Sequence, residues 1–185
     1  MKTLILGMGN TILSDDAIGI IIKRYLEQKI KDACYIDFKE TSWGGFRIID
    51  LLRDYDYVIV IDSIKTEKSP VGYIHRLTFN DLLPTVRLNS FHDINFATAI
   101  KLAETYNEKM PENIDILAIE VDNNNTIKEQ LSPEITDSIY KCSLEIIKIL
   151  ESKNLLKENF SLSMLKKIET EEELNLLYLE EEILN

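Results

Sequence analysis

Apolar residues recur along this chain in two rhythms. Short continuous runs occupy residues 2–6, 34–38, 57–61 and 114–121, and a looser alternation runs over 72–79. The run YVIVI at 57–61, bounded by Asp56 and Asp62, is apolar throughout and β-branched from Val58 to Ile61, as expected of a strand covered on both faces. Between these runs the apolar positions fall three and four apart, which is the spacing of one helical face. Ile18, Ile21, Ile22, Tyr25 and Leu26 form such a stripe, in a helix predicted to begin near Asp15 or Asp16. Ile48, Ile49, Leu51 and Leu52 predict a short second helix. Phe96, Ala99, Ile100 and Ala103 mark a third, starting near His92. Ser132-Pro133-Glu134 opens a fourth, with Ser as the expected cap and Pro in the first turn. Strands alternating with helices predict an α/β fold: a three-layer α/β/α sandwich around a mainly parallel, twisted sheet of about five strands.

The pattern changes near residue 151. Residues 151–185 carry nine Glu and four Lys, with no Asp, Gly or Pro. Thr170 and Glu173 have the spacing of a capping box ahead of Leu174 and Leu177. The chain therefore divides into an α/β domain over 1–150 and an acidic, amphipathic helical tail over 151–185. The tail is expected to pack on its own domain, on a dimer mate or on a partner protein.

Composition narrows the functional classes. A net charge of −11 argues against a nucleic-acid partner, because phosphate binding needs a positive surface. No apolar run approaches the roughly 20 residues that span a bilayer, so no membrane insertion is expected. Cys34 and Cys142 form no CxxC pair or disulfide framework, which fits a reducing, cytoplasmic setting. The dinucleotide fingerprint fails because Ile12 stands where a third glycine is needed. P-loop, HExxH and GxSxG patterns are absent.

Ligands of open α/β sheets sit outside the carboxyl ends of the strands. That rule singles out the loop Gly7-Met8-Gly9-Asn10 with Asp15 and Asp16, then Asp62-Ser63, and then His92-Asp93. Asp16, Asp62 and His92 together would make a mixed oxygen and nitrogen donor set, suited to Ni, Fe or Zn better than to Ca or Mg. Three protein ligands leave positions open for substrate or water. Each residue also has a plainer explanation: helix capping for the acidic pair, turn formation for Asp62, and loop bracing by the Asn10 side chain. His75, inside the alternating segment, is assigned no function.

The run Leu6-Gly7-Met8-Gly9-Asn10-Thr11-Ile12-Leu13-Ser14-Asp15-Asp16-Ala17-Ile18-Gly19 resembles the opening signature of the [NiFe] hydrogenase maturation proteases. Ile61-Asp62, Ser90-Phe91-His92 and the loop Glu40-Thr41-Ser42-Trp43-Gly44-Gly45 are similar to the family's further landmarks. The resemblance spans roughly residues 1–150. It implies an endopeptidase that removes the C-terminal extension of a hydrogenase large-subunit precursor after nickel insertion. It also implies that Asp16, Asp62 and His92 recognise nickel carried by the substrate. Two mechanisms stay open: the nickel polarises the carbonyl or activates water, or it is only a recognition handle and Asp16 or Asp62 acts as catalytic base. Asn10, Gly44 and Gly45 are expected to contact substrate. Asp16 stands where the family often has Glu, and Phe91 where Pro is common. Two other classes stay open: a non-catalytic chaperone that holds the precursor, and an unrelated α/β hydrolase using the Gly7–Asn10 loop for an anion.

Overall fold

The computed structural model describes residues 1–42, 47–82, 93–106 and 108–179. Five strands form one sheet: β1 (Thr3–Met8), β2 (Asp37–Thr41), β3 (Tyr57–Ile64), β4 (Ile74–Thr78) and β5 (Asn113–Glu120). The helices are α1 (Ile18–Ile30), α2 (Arg47–Leu52), α3 (Phe79–Leu82), α4 (Asp93–Thr105), α5 (Pro133–Ser152) and α6 (Glu171–Leu176). The strand order is β2-β1-β3-β5-β4. The first four strands of that order run parallel, and β4 adds antiparallel at the edge.

Every residue of β1 and β3 is buried, as their uninterrupted apolar runs require of central strands. Alternate side chains build two cores. Ile5, Ile59, Ile61, Leu117 and Ile119 pack under α1 and α5, with Ile21, Ile22, Ile139 and Ile146. Leu4, Leu6, Val58, Val60, Ile116 and Ala118 pack on the opposite face, with Ile48, Leu52 and Ile100. Helices therefore cover both faces of the sheet.

Two expectations from the sequence are corrected. The second strand is Asp37–Thr41 and not 34–38, because the chain makes a 3-10 turn over Lys31–Ala33 and Cys34 only bridges Leu156. Ser132 does stand at the N-cap of α5 with Pro133 in the first turn, but its side chain makes no capping bond there. Its hydroxyl is instead donated to Asp15, at 2.9 Å.

The tail over 151–185 contains one short helix, α6, behind the Thr170–Glu173 capping box, and a 3-10 turn over Leu162–Met164. Leu155, Leu165, Leu174 and Leu177 belong to the core under α1 and α5. Arg24 of α1 is 1% exposed and donates to the Leu177 carbonyl at 2.9 Å and the Tyr178 carbonyl at 3.3 Å. Tyr25 donates its hydroxyl to the Lys166 carbonyl at 2.5 Å and accepts the Lys166 N–H at 2.8 Å. Among the described residues no helix is long and apolar enough to cross a membrane.

Candidate active site

The chain leaves β1, returns on one side of it as β2, and comes back on its other side as β3. The carboxyl ends of β1 and β3 therefore flank the point where the strand order reverses, the usual ligand crevice of such a sheet. Asp16 follows β1 and Asp62 lies near the end of β3, so topology brings both acids to that crevice.

The backbone packs closely there. Met8 leads to Gly9 at φ +140°, where a side chain would be strained, and a Cβ on Gly9 would lie 1.9 Å from the Asp16 carbonyl oxygen. At Gly19, in the first turn of α1, a Cβ would lie 2.3 Å from the carbonyl oxygens of both Met8 and Ile61. The two missing side chains let the Ser14–Ala17 turn and α1 rest directly on the ends of β1 and β3. Asn10 braces the same loop: its Oδ1 accepts the Ile12 N–H at 3.2 Å.

Asp16 and Asp62 are each 3% exposed. Ser63 links them. Its hydroxyl donates to Asp16 Oδ1 at 2.8 Å, and its backbone N–H donates to Asp62 Oδ1 at 2.8 Å. Hydrogen bonds of this kind compensate the burial of a carboxylate and fix its orientation. Successive residues of a strand point to opposite faces, so Ser63 turns toward the α1 side while Asp62 turns toward the α2–α4 side. The two carboxylates thus straddle the sheet edge.

Asp15 does something else. Its carboxylate accepts the Ser132 N–H at 2.6 Å and the Ser132 hydroxyl at 2.9 Å, tying the turn before α1 to the start of α5. Burial raises its carboxyl above the usual 3.8, outweighing those two bonds. This is a structural tie, which separates Asp15 from Asp16 as spacing alone does not.

On the other flank, Glu40 near the end of β2 meets Arg24 at 2.5 Å and Lys23 at 2.7 Å. Burial alone would raise the Glu40 carboxyl, but hydrogen bonds from Arg24 and Lys23 outweigh it and hold it below the usual 4.5. The cluster anchors β2 and the tail carbonyls to α1. His92, Gly44 and Gly45, the remaining expected site residues, lie outside the described residues. Among the described residues no group of three or more His, Cys, Asp and Glu side chains is gathered as a metal site.

Sequence reasoning passed over Ser63 as the link between the two acids, and over Glu120. Glu120 is a buried carboxylate 2.8 Å from His75. A charged residue set between Ile119 and Val121 in the apolar run IDILAIEV is the signal that would have found it.

The comparisons agree with this architecture. A profile of the hydrogenase maturation protease family matches residues 20–149. The hydrogenase 2 maturation protease of Escherichia coli K12 is 26% identical over 137 residues, which is 73% of this chain and 78% of that protein. The fold is that of the hydrogenase maturating endopeptidase HybD from Escherichia coli, with a TM-score of 0.73. That match has 20% identity and covers 86% of this chain and 100% of that one. The [NiFe] hydrogenase maturation protease HybD from Thermococcus kodakarensis matches with a TM-score of 0.63 and 21% identity, over 81% of this chain and 99% of that one.

Proposed function

The chain belongs to the hydrogenase maturation protease family, and from that membership we propose that it is a cytoplasmic endopeptidase that trims the C-terminal extension of a [NiFe] hydrogenase large-subunit precursor. The observation that carries this reading is the Asp16–Ser63–Asp62 arrangement at the carboxyl edge of β1 and β3, where a substrate of this fold would dock.

Nickel enters as cargo of the substrate. Two carboxylates supply oxygen donors and two negative charges, and His92 would add an imidazole nitrogen, a set suited to a divalent transition ion. Completing the coordination of an ion already seated in the precursor fixes the precursor's C-terminal segment against the rim. Positioning of that kind is worth several orders of magnitude in rate. Asp16 or Asp62 serves as the base. Cleavage then depends on nickel insertion, and an empty precursor is left intact.

Incubation of the protein with nickel-loaded and nickel-free precursor, read as appearance of the shortened large subunit, tests this. Processing of the loaded form alone is expected. Equal processing of both forms overturns nickel sensing. A stable complex with intact loaded precursor overturns the protease in favour of a chaperone. Asp16→Ala, Asp62→Ala and His92→Ala, each folded, are expected to lose cleavage, and full activity in any of them removes that residue from the mechanism.

A further inference from the structure

Glu120 ends β5 and is 2% exposed. Its carboxylate accepts the Thr66 N–H at 2.7 Å, the Thr66 hydroxyl at 2.7 Å and the Glu67 N–H at 2.9 Å, and lies 2.8 Å from His75 Nε2. Burial alone would raise the carboxyl, but the bonds from Thr66, His75 and Glu67 outweigh it and hold Glu120 below the usual 4.5. An ionised carboxylate only accepts, so Nε2 of His75 carries the hydrogen between them. Nδ1 is the ring nitrogen left to exchange a proton. A carboxylate that orients an imidazole in this way is a recurrent device of proton-transfer sites. The imidazole is the more accessible partner, 19% exposed, and the Tyr73 ring packs against it edge-on at 4.9 Å.

The sheet register places this pair beside the candidate active site. Asp62 of β3 lies directly opposite Ala118 of β5, and Ala118 lies directly opposite His75 of β4. Directly opposed residues share a face, so Asp62, Ala118 and His75 form one row on the α2–α4 side. In that row the one residue between Asp62 and His75 is Ala118, whose side chain is a methyl group. Two strand spacings separate their backbones by about 10 Å, enough for the two side chains to flank one extended chain.

The chemistry of the proposed reaction calls for such a group. A water oxygen bonds to the scissile carbonyl carbon, the C–N bond breaks, and the leaving nitrogen must gain a proton. The carboxylate that takes the proton of water serves the attacking side, and a separately placed donor serves the leaving nitrogen without that first group having to turn across the scissile bond. We propose that His75, oriented by Glu120, is the general acid that protonates the departing amine. The imidazolium gives its Nδ1 proton to the nitrogen, while the proton lost by water passes to a rim carboxylate. Release of that proton to solvent and return of one to His75 resets both groups. This inference rests on the endopeptidase reading of the same site.

A leaving-group comparison tests it. Two nickel-loaded precursors are made by semisynthesis, one with the native scissile amide and one with an ester at that bond, located from the wild-type product. An ester oxygen departs without a proton donor, whereas an amide nitrogen does not. His75→Gln keeps a donor toward Glu120 and is expected to lower kcat on the amide by about 100-fold or more, with KM unchanged and the ester cleaved within about threefold of wild type. Equal loss on both substrates, or no loss on either, overturns the proposal. Should His75→Gln fail to fold, Glu120→Gln takes its place with the same expected split. If wild type cleaves neither substrate, the endopeptidase reading fails; if it cleaves both and the variants show no split, only His75's role fails.

Discussion

Ser63 holds Asp16 through its hydroxyl and Asp62 through its backbone N–H, both at 2.8 Å, so one residue spaces two acids that lie 46 positions apart in the chain. Ser63→Ala removes the first bond and keeps the second. A hydrogen bond to a charged group is worth about 1.5–3 kcal/mol. The variant is expected to lose stability within that range in urea unfolding. It is also expected to cleave precursor at least about tenfold more slowly, because Asp16 loses the bond that fixes its Oδ1. Wild-type cleavage by a folded Ser63→Ala protein would show that Asp16 needs no such support.

Asp15 and Asp16 are adjacent but are expected to separate cleanly in mutagenesis. Asp15→Ala leaves the Ser132 N–H and hydroxyl without their acceptor, which costs about 1–3 kcal/mol of stability. Asp15→Asn keeps one acceptor oxygen and removes a charge whose burial is unfavourable, so it is expected to stay within about 1 kcal/mol of wild type. Neither change is expected to alter cleavage per folded molecule, whereas Asp16→Asn is expected to abolish it. Thermal unfolding and cleavage assays on the three proteins check this.

Gly19→Ala would drive a methyl into the Met8 and Ile61 carbonyls, where 2.3 Å is far inside van der Waals contact. Both neighbours are backbone and cannot swing aside. We expect α1 to lift from β1 and β3, with a loss above about 3 kcal/mol or failure to fold. A soluble Gly19→Ala protein with wild-type stability in denaturant would refute the close approach.

The stability of the protein is expected to fall with acid partly through Glu40. Its folded-state pKa lies below the ordinary 4.5, so its contribution is present above about pH 4.5 and is lost as pH falls through the lower, folded value. Glu40→Gln leaves Arg24 and Lys23 without their anion, at a cost of about 3–5 kcal/mol at pH 7. The gap in Tm between wild type and Glu40→Gln should therefore narrow below pH 4.5. A gap independent of pH from 7 to 3 would contradict the ion cluster.

Much of the molecule was legible from its residues. The all-apolar runs of β1 and β3, the three-and-four spacing of α1 and α5, and the Thr170–Glu173 box are local patterns, and local sterics and solvent exposure suffice to read them. The GxGN loop with its acidic pair was equally plain, and strand-end placement sent Asp16 and Asp62 to the same rim. The start of β2 was misjudged because Cys34 and Ile36 are apolar for a different reason. Cys34 bridges Leu156, and both residues pack in the core that the tail completes, a contact more than a hundred residues distant in the chain.

Other features depended on pairs of residues remote in sequence. Asp15 and Asp16 look alike until α5 arrives to claim one of them through Ser132 and Ser63 of β3 claims the other. Glu40 looks like a loop acid until Arg24 and Lys23 face it. His75 looks like one polar residue of an edge strand until the register sets it beside Glu120 and one small residue away from Asp62. Hydrophobic periodicity determines which face of an element is buried, and the chain reports it directly. Which charged groups meet is decided by strand order and register, and those emerge only when the whole core is packed.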